Sequence, residues 1–190
     1  MSRAYRISVS ESLRQIIRGS DHVGTDIEML EILPKEQMAE LLRKDLEGRG
    51  FQLEGDVLVR KLDGVTITID PATGRATVTA ELCEEIELNH EASGWGDEDF
   101  GSSGREKIEE QLRERAREEL AKQADTKEQR LGQVATAKLE GVLRDLQGEL
   151  DAAVNRVTAQ ALKQKAAQMG EIKQITEDPE NGTMTIVLEV

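Results

Sequence analysis

The stretch from Ser103 to Met169 constrains the fold most, because it lacks proline and is rich in residues that favour helix. Ser103 followed by Glu106 is a capping-box pattern, which marks the start of a helix. The chain has 190 residues, which suffices for one core or for a small core with a long appendage. The stretch is therefore predicted to be a long helical insertion in one folded unit.

Apolar residues divide this insertion into two parts. The first part carries a thin apolar stripe, made of Ile108, Leu112, Ala116, Leu120 and Ala124. The second part carries a coiled-coil-like leucine seam with alternating spacings of four and three: Leu139, Leu143, Leu146, Leu150, Ala153 and Val157. Such a seam needs a second surface to pack against, so it predicts a partner or a second copy of the chain.

Two arrangements of the insertion are open. A turn at Gly132 would give a helical hairpin and return the chain toward the sheet. We expect this arrangement, because the other glycines, Gly141 and Gly148, lie inside the leucine seam and would split it. An unbroken helix would instead extend for about 100 Å at the usual rise per residue.

Residues 1–88 are predicted to form a small antiparallel sheet with one packed helix. Alternating apolar residues predict strands on both sides of Gly19-Ser20-Asp21, which is typical of a hairpin turn. Helical spacing follows Pro34, at Met38, Leu41, Leu42 and Leu46. Three further strands are expected, at residues 57–61, 65–69 and 75–88.

Two more segments complete the predicted organisation. Residues 89–104 are acidic and glycine-rich, which predicts a flexible linker before the helical insertion at 105–169. Residues 170–190 alternate apolar and polar residues around an Asp-Pro-Glu-Asn-Gly turn, which predicts a C-terminal β-hairpin. Because an isolated hairpin is marginally stable in water, we expect it to rejoin the sheet or to join a partner's. The predicted fold class is α+β.

Composition disfavours several functions. The net charge is −13 and 2% of the residues are aromatic, which argues against nucleic-acid binding through phosphate contacts or base stacking. The single cysteine, Cys83, rules out an intramolecular disulfide. No apolar run approaches the roughly 18 residues of a membrane span, and the N-terminus has no signal-peptide pattern. We expect a cytoplasmic protein without a membrane span.

Candidate catalytic groups are sparse. His22 lies beside Asp21 in the predicted turn, where an exposed turn residue is the simpler interpretation. His90 lies in the predicted linker, whose acidic oxygens lack the rigid scaffold that a metal site needs. Cys83 precedes two glutamates, whose charge suppresses the thiolate form that a nucleophile requires. We therefore predict no enzyme activity, no cofactor and no bound metal.

Two aromatic residues, Trp95 and Phe100, lie in the predicted linker. Aromatic side chains in mobile acidic segments often anchor in the groove of a partner protein. Packing of Trp95 on the chain's own surface is the alternative. The residues predicted to bind a partner are Trp95, Phe100, Leu139, Leu143, Leu146, Leu150 and Val157.

Both ends of the chain resemble a known family. The resemblance lies in Arg3-Ala4-Tyr5-Arg6-Ile7-Ser8-Val9, in Ile32-Leu33-Pro34, in residues 154–172 and in the hairpin after them. These segments are similar to the small accessory proteins encoded beside FtsH- or MoxR-type AAA+ ATPases, with von Willebrand A partners, in bacterial three-component systems. The resemblance implies an ATP-driven machine as a genomic neighbour, and it includes no catalytic motif.

Three hypotheses about function follow. The leading one is a non-catalytic protein–protein interaction module, an accessory or adaptor component of a bacterial AAA+ ATPase system. The alternative is a structural homo-oligomer that assembles through the leucine seam. An enzyme of unrecognised type, using His22, His90 or Cys83, is the remote alternative.

Overall fold

Long strands and one long helix dominate the computed structural model, which describes residues 4–97, 101–178 and 183–189. The elements in chain order are β1 (Ala4–Asp26), α1 (Lys35–Glu47), β2 (Gln52–Glu54), β3 (Val57–Leu62), β4 (Val65–Asp70), β5 (Arg75–Asp97), α2 (Gly101–Met169), β6 (Glu171–Asp178) and β7 (Thr183–Glu189). The chain is α+β, as the sequence predicts. It divides into unit 1, Met1–Asp21 with Glu81–Ala137, and unit 2, His22–Ala80 with Lys138–Val190.

The larger sheet has the strand order β1-β5-β4-β3-β2. Antiparallel pairing joins β2 to β3, β3 to β4 and β4 to β5. Strand β1 also runs antiparallel to β5, because Arg6 bonds to Ser93 whereas Arg14, farther along β1, bonds to the earlier Glu85. Strand β1 therefore forms one edge of this sheet.

Unit 2 has its core on one face of the sheet. Helix α1 buries the four residues predicted from their helical spacing, Met38, Leu41, Leu42 and Leu46. Strand β4 buries alternate residues, Val65, Ile67 and Ile69. The turn between β4 and β5 requires Gly74, whose φ is +76° and whose added Cβ would lie 2.8 Å from the Ile27 oxygen.

The leucine seam also belongs to the core of unit 2. Leu139, Leu146, Leu150, Ala153 and Val157 are buried, and Leu143 is half-buried. The same chain thus supplies the second surface that the seam requires. The seam was predicted to need a partner or a second copy, but its side chains are mostly buried within the chain and leave little surface for either.

Unit 1 consists of the paired β1 and β5 segments and the first part of α2. The apolar stripe of α2 packs on one face of these strands, and its centre is a cluster of buried residues: Ile17, Ile86, Leu88, Leu120 and Ala124. Odd-numbered residues of β1 and even-numbered residues of β5 mostly turn inward. The thin stripe is nevertheless buried, since Ala116 and Ala124 of α2 are almost inaccessible to solvent.

The predicted hairpin turn at Gly19-Ser20-Asp21 is wrong, because β1 is a single strand through these residues. Gly19 serves a close approach instead of a turn. A Cβ added at Gly19 would lie 2.5 Å from the Leu131 carbonyl carbon and 2.6 Å from the Gly132 nitrogen. Turn-forming composition and close backbone packing both favour glycine, so the local sequence did not separate them.

The predicted linker at residues 89–104 is replaced by regular structure where the chain is described. Strand β5 continues to Asp97, and α2 begins at Gly101. The glycines have packing roles, since a Cβ at Gly94 would contact Leu112 and one at Gly96 would lie 2.8 Å from the Tyr5 ring. The remaining linker residues, 98–100, lie outside the described part of the chain.

Helix α2 is continuous, so the predicted helical hairpin at Gly132 is wrong. The Thr136 hydroxyl donates a hydrogen bond of 2.7 Å to Asp21 one turn beyond that glycine. A glycine inside a helix costs only about 1 kcal/mol relative to alanine. Packing on the strands outweighs that cost.

The C-terminal hairpin forms where the sequence predicts it, with β6 and β7 paired antiparallel. It does not rejoin the main sheet, because β6 and β7 form a separate two-stranded sheet. Its apolar side chains remain partly exposed, with Ile175 at 39% and Val187 at 47%. The turn residues 179–182 lie outside the described part of the chain.

Candidate protein-binding surface

The candidate site is the outer face of unit 1, the side of its two strands that faces away from α2. It consists of the even-numbered residues of β1 from Ala4 to Ser20 and the odd-numbered residues of β5 from Glu81 to Trp95. All of these residues are exposed, whereas their inward-facing neighbours are mostly buried or half-buried. The alternation follows from the two-residue period of a strand that is covered on one side.

The two strands carry opposite charges on the outer face. Strand β1 presents an arginine row, Arg6, Arg14 and Arg18, with no acidic residue among its even-numbered positions from 4 to 20. Strand β5 presents Glu81, Glu85, Glu87 and Glu91. A basic row within a chain of net charge −13 is a local departure from the overall balance.

The contacts across this face use little of the arginines' hydrogen-bonding capacity. Arg14 donates through Nε to Glu85 Oε1 at 2.7 Å, and both side chains are more than half exposed. Arg6 donates through one Nη to the Ser93 hydroxyl at 3.2 Å. In the part of the chain that the structure describes, Arg18 has neither an ion-pair partner nor a side-chain hydrogen bond.

Trp95 is the largest apolar side chain on the outer face, with 72% of its surface exposed. The next residue, Gly96, points inward and leaves room for the Tyr5 ring. The Arg105 guanidinium of α2 lies 6.0 Å from the centre of that ring. These inward contacts join the end of β5 to β1 and α2, so Trp95 is presented to solvent from a structured strand.

The other residues predicted to bind a partner have different positions. Phe100 lies outside the described part of the chain. Leu139, Leu146, Leu150 and Val157 are buried and Leu143 is half-buried, all of them within unit 2. Trp95 is thus the member of the predicted set that the structure presents to solvent. The arginine row of β1 was missed, although each of its arginines stands next to an apolar residue of the strand pattern, Ile7, Leu13 or Ile17.

Charged pairs within unit 2 join α2 to the elements below it. Arg156 donates two bonds of 2.7 Å to Asp45, and this guanidinium holds the pKa of Asp45 below its ordinary value near 3.8. Arg60 donates bonds of 2.9 and 2.7 Å to Glu149, and it lies 4.3 Å from the centre of the Phe51 ring. Paired bonds fix geometry as well as charge, so these contacts set the position of the leucine seam.

The residues considered for catalysis lie apart. Cys83 is exposed on the outer face of β5, whereas His90 is half-buried on the opposite side of the same strand. His22 belongs to unit 2 and is exposed. Within residues 4–97, 101–178 and 183–189, no three His, Cys, Asp or Glu residues are grouped as metal ligands.

The fold and this surface define an α+β protein in which a helix supports two extended strands with a charged, solvent-facing side. The family model of the FtsH ternary system domain X5 matches residues 1–190, and the chain belongs to that family. The match confirms the resemblance to accessory proteins of FtsH-type AAA+ ATPase systems. Searches among curated proteins and among solved structures give no match. None of the helices described here has the length and apolarity of a membrane span.

Proposed function

We propose that this chain is a non-catalytic accessory subunit that binds another protein of an FtsH ternary system, the AAA+ ATPase itself or a von Willebrand A component. Family membership supports the link to the system. The observation that carries the binding role is Trp95, which is 72% exposed at the end of a structured strand. Tryptophan is enriched among the few residues that dominate protein–protein affinity.

The surroundings of Trp95 fit a binding face better than a packing role. Tyr5, Gly96 and Arg105 stabilise the other side of the strand without it. An exposed indole that the fold does not use loses solvent contact on docking, and this burial favours binding. A structured strand also spares the complex much of the entropy cost of ordering a flexible segment.

The cytoplasm is the proposed compartment. Cys83 is an exposed free thiol on the outer face of β5. Exposed thiols persist in reducing compartments, and the ATPase motor domain of an AAA+ protein requires cytoplasmic ATP.

Binding of the purified chain to the FtsH-type ATPase of the same system, with ATP and without nucleotide, tests the proposal. The wild-type chain should bind, and Trp95→Ala should weaken binding about thirtyfold, the loss of a typical hot-spot residue. Leu30→Ala is the matched control, because Leu30 is 67% exposed and lies in unit 2. It should bind like the wild type.

Two results would contradict the proposal. Failure of the wild-type chain to bind either the ATPase or the von Willebrand A component would exclude the accessory role. Equal affinity of wild type and Trp95→Ala would remove Trp95 from the interface. Circular dichroism of each variant keeps a folding defect from being mistaken for lost binding.

A further inference from the structure

Strand β1 has a long edge in unit 1 with which no strand pairs in the described part of the chain, and we call it the free edge. It is the edge strand of the larger sheet, and its segment Ala4–Asp21 contains neither proline nor lysine. Proteins commonly protect edge strands with those residues or with a covering element, because unpaired backbone groups accept another strand. Helix α2 covers a face of β1 and β5 rather than the edge.

The side chains beside this edge specify a charge. The outer positions Arg14, Ile16 and Arg18 form a basic–apolar–basic triplet, and Ile16 is 65% exposed. Arg14 donates to Glu85 through Nε alone, so its Nη groups make no hydrogen bond with Glu85. Glu11, on the inward side, is already paired with Arg117 of α2 at 3.5 Å. The edge therefore offers the guanidinium of Arg18 on one side of Ile16 and the Nη donors of Arg14, which is already paired through Nε, on the other.

We propose that the free edge of β1 binds an extended acidic segment of a partner protein by strand addition, with acidic side chains facing Arg14 and Arg18 and an apolar side chain facing Ile16. This inference rests on the proposed function and adds the chemistry of the partner. Strand β5 provides the precedent, since its Glu85 makes this contact with Arg14 from the other side. An added strand would place a second acidic row beside the arginines.

An added strand would lie closer to the arginines of β1 than to the acidic residues elsewhere in the chain. Neighbouring strands lie about 4.8 Å apart, so an added strand would be about 5 Å from β1 and about 10 Å from the glutamates of β5. The larger distance is about one Debye length at physiological salt, where exposed charges are largely screened. The arginine row therefore dominates what an incoming strand meets.

A second copy of the chain fits this edge poorly. Pairing β1 with the same strand of another copy would bring two arginine rows together on one face. Like charges on adjacent strands oppose pairing. An acidic segment satisfies both the unpaired backbone groups and the arginines.

A pair of synthetic peptides tests the inference without the ATPase. The first is end-blocked and has the sequence Thr-Glu-Thr-Val-Thr-Glu-Thr. In an extended strand its two glutamates and the valine between them share one face. The second replaces both glutamates with lysine. The acidic peptide should bind the full chain and protect backbone amides of β1 from hydrogen exchange. The lysine peptide should bind at least about tenfold more weakly, the summed effect of two cross-strand charge pairs.

Charge reversal in the protein sharpens the test. Arg14→Glu with Arg18→Glu should weaken the acidic peptide about tenfold or more and should now favour the lysine peptide. Arg113→Glu with Arg130→Glu is the matched control, because it changes the net charge equally at exposed positions of α2 in unit 1. The control should bind the acidic peptide more tightly than the lysine peptide, as the wild type does.

Several outcomes would overturn the inference. They are equal binding of both peptides, protection outside β1, and no protection of β1 at about 1 mM peptide, the limit of weak affinity. A mass of twice 21.1 kDa by light scattering, with concentration-dependent protection of β1, would assign the edge to a second copy instead. A failed peptide test would leave measured ATPase binding intact, and lost ATPase binding would leave the peptide result intact, so the two proposals fail separately.

Discussion

Helix α2 packs in two different ways in the two units. In unit 2 it contributes a leucine seam to a deep core, and the largest fully buried side chains of the described residues all belong to that unit: Leu42, Leu46, Leu58, Ile67, Ile69, Leu146, Val78 and Val157. In unit 1 it contributes a stripe that includes Ala116 and Ala124 to a thin layer on two strands. The difference suggests a division of roles, because binding surfaces tend to lie in regions of lower local stability.

The largest expected effect comes from shortening a side chain of the leucine seam. Leu146→Ala removes a side chain that is 1% exposed, and we expect the free energy of unfolding to fall by about 3 kcal/mol, measured by urea denaturation. Leu162→Ala is the control on the same helix, because Leu162 is 38% exposed. Equal losses from the two variants would contradict a core role for the seam.

Gly19→Ala tests the close packing of unit 1. Its Cβ would meet backbone atoms of α2 at 2.5 and 2.6 Å, so strand or helix must shift, at a cost of about 1–3 kcal/mol. Gly24→Ala lies in the same strand with its nearest neighbour at 3.7 Å, and it should stay within about 0.5 kcal/mol of wild type. Thermal unfolding of both variants gives the comparison. A neutral Gly19→Ala would show that β1 and α2 are not in contact there.

Arg156→Gln probes the ion pair that holds the seam in unit 2. We expect a loss of about 1 kcal/mol near neutral pH, since the Arg156 and Asp45 side chains are 38% and 18% exposed and solvent screens part of their attraction. Lys61→Gln is the control, because Lys61 and its partner Glu54 are both more than half exposed. It should change little.

The same pair gives a pH dependence with a defined sign. The folded-state pKa of Asp45 is lowered, chiefly by its hydrogen bond with Arg156. Its contribution to stability is therefore fully present above the ordinary value near 3.8 and is lost as the pH falls through the lowered folded value. Acid titration of stability should be shallower in Arg156→Gln than in wild type. Identical profiles would exclude the pair as a source of acid sensitivity.

Gly132→Ala has the smallest expected effect and the opposite sign. Nothing lies within 4 Å of the added Cβ, so the variant should be more stable by about 0.5–1 kcal/mol in chemical denaturation. Gly141→Ala, equally unobstructed, should give a similar gain in the other part of α2. Destabilisation by Gly132→Ala alone would indicate a turn in place of the continuous helix.

Local patterns predicted the short elements well. The helical spacing of Met38, Leu41, Leu42 and Leu46 gave α1, and the alternation of Val65, Ile67 and Ile69 gave the buried face of β4. These elements agree with their local propensities, so tertiary packing only completes what the sequence favours.

The continuity of the long elements could not be predicted, because contacts distant in sequence determine it. Gly19 and Gly96 resemble turn or linker residues, yet they are needed where α2 and the Tyr5 ring approach the strands. The charged surface of α2 led to the prediction of a solvent-exposed helical insertion. The two long strands that cover its apolar stripe had been predicted as shorter strands, so no surface was available to bury it. Trp95 was predicted as a binding residue, whereas Arg14 and Arg18 gained significance only when β1 proved to be an edge strand.

Hydrogen exchange of the full chain, with and without the FtsH-type ATPase of its system, tests most directly whether unit 1 binds while unit 2 stabilises. We predict that partner binding protects amides of β1 and of β5 near Trp95, and that the already slow amides around Leu146 stay unchanged. Protection confined to the α2 segment of the leucine seam, with β1 and β5 unchanged, would contradict this division.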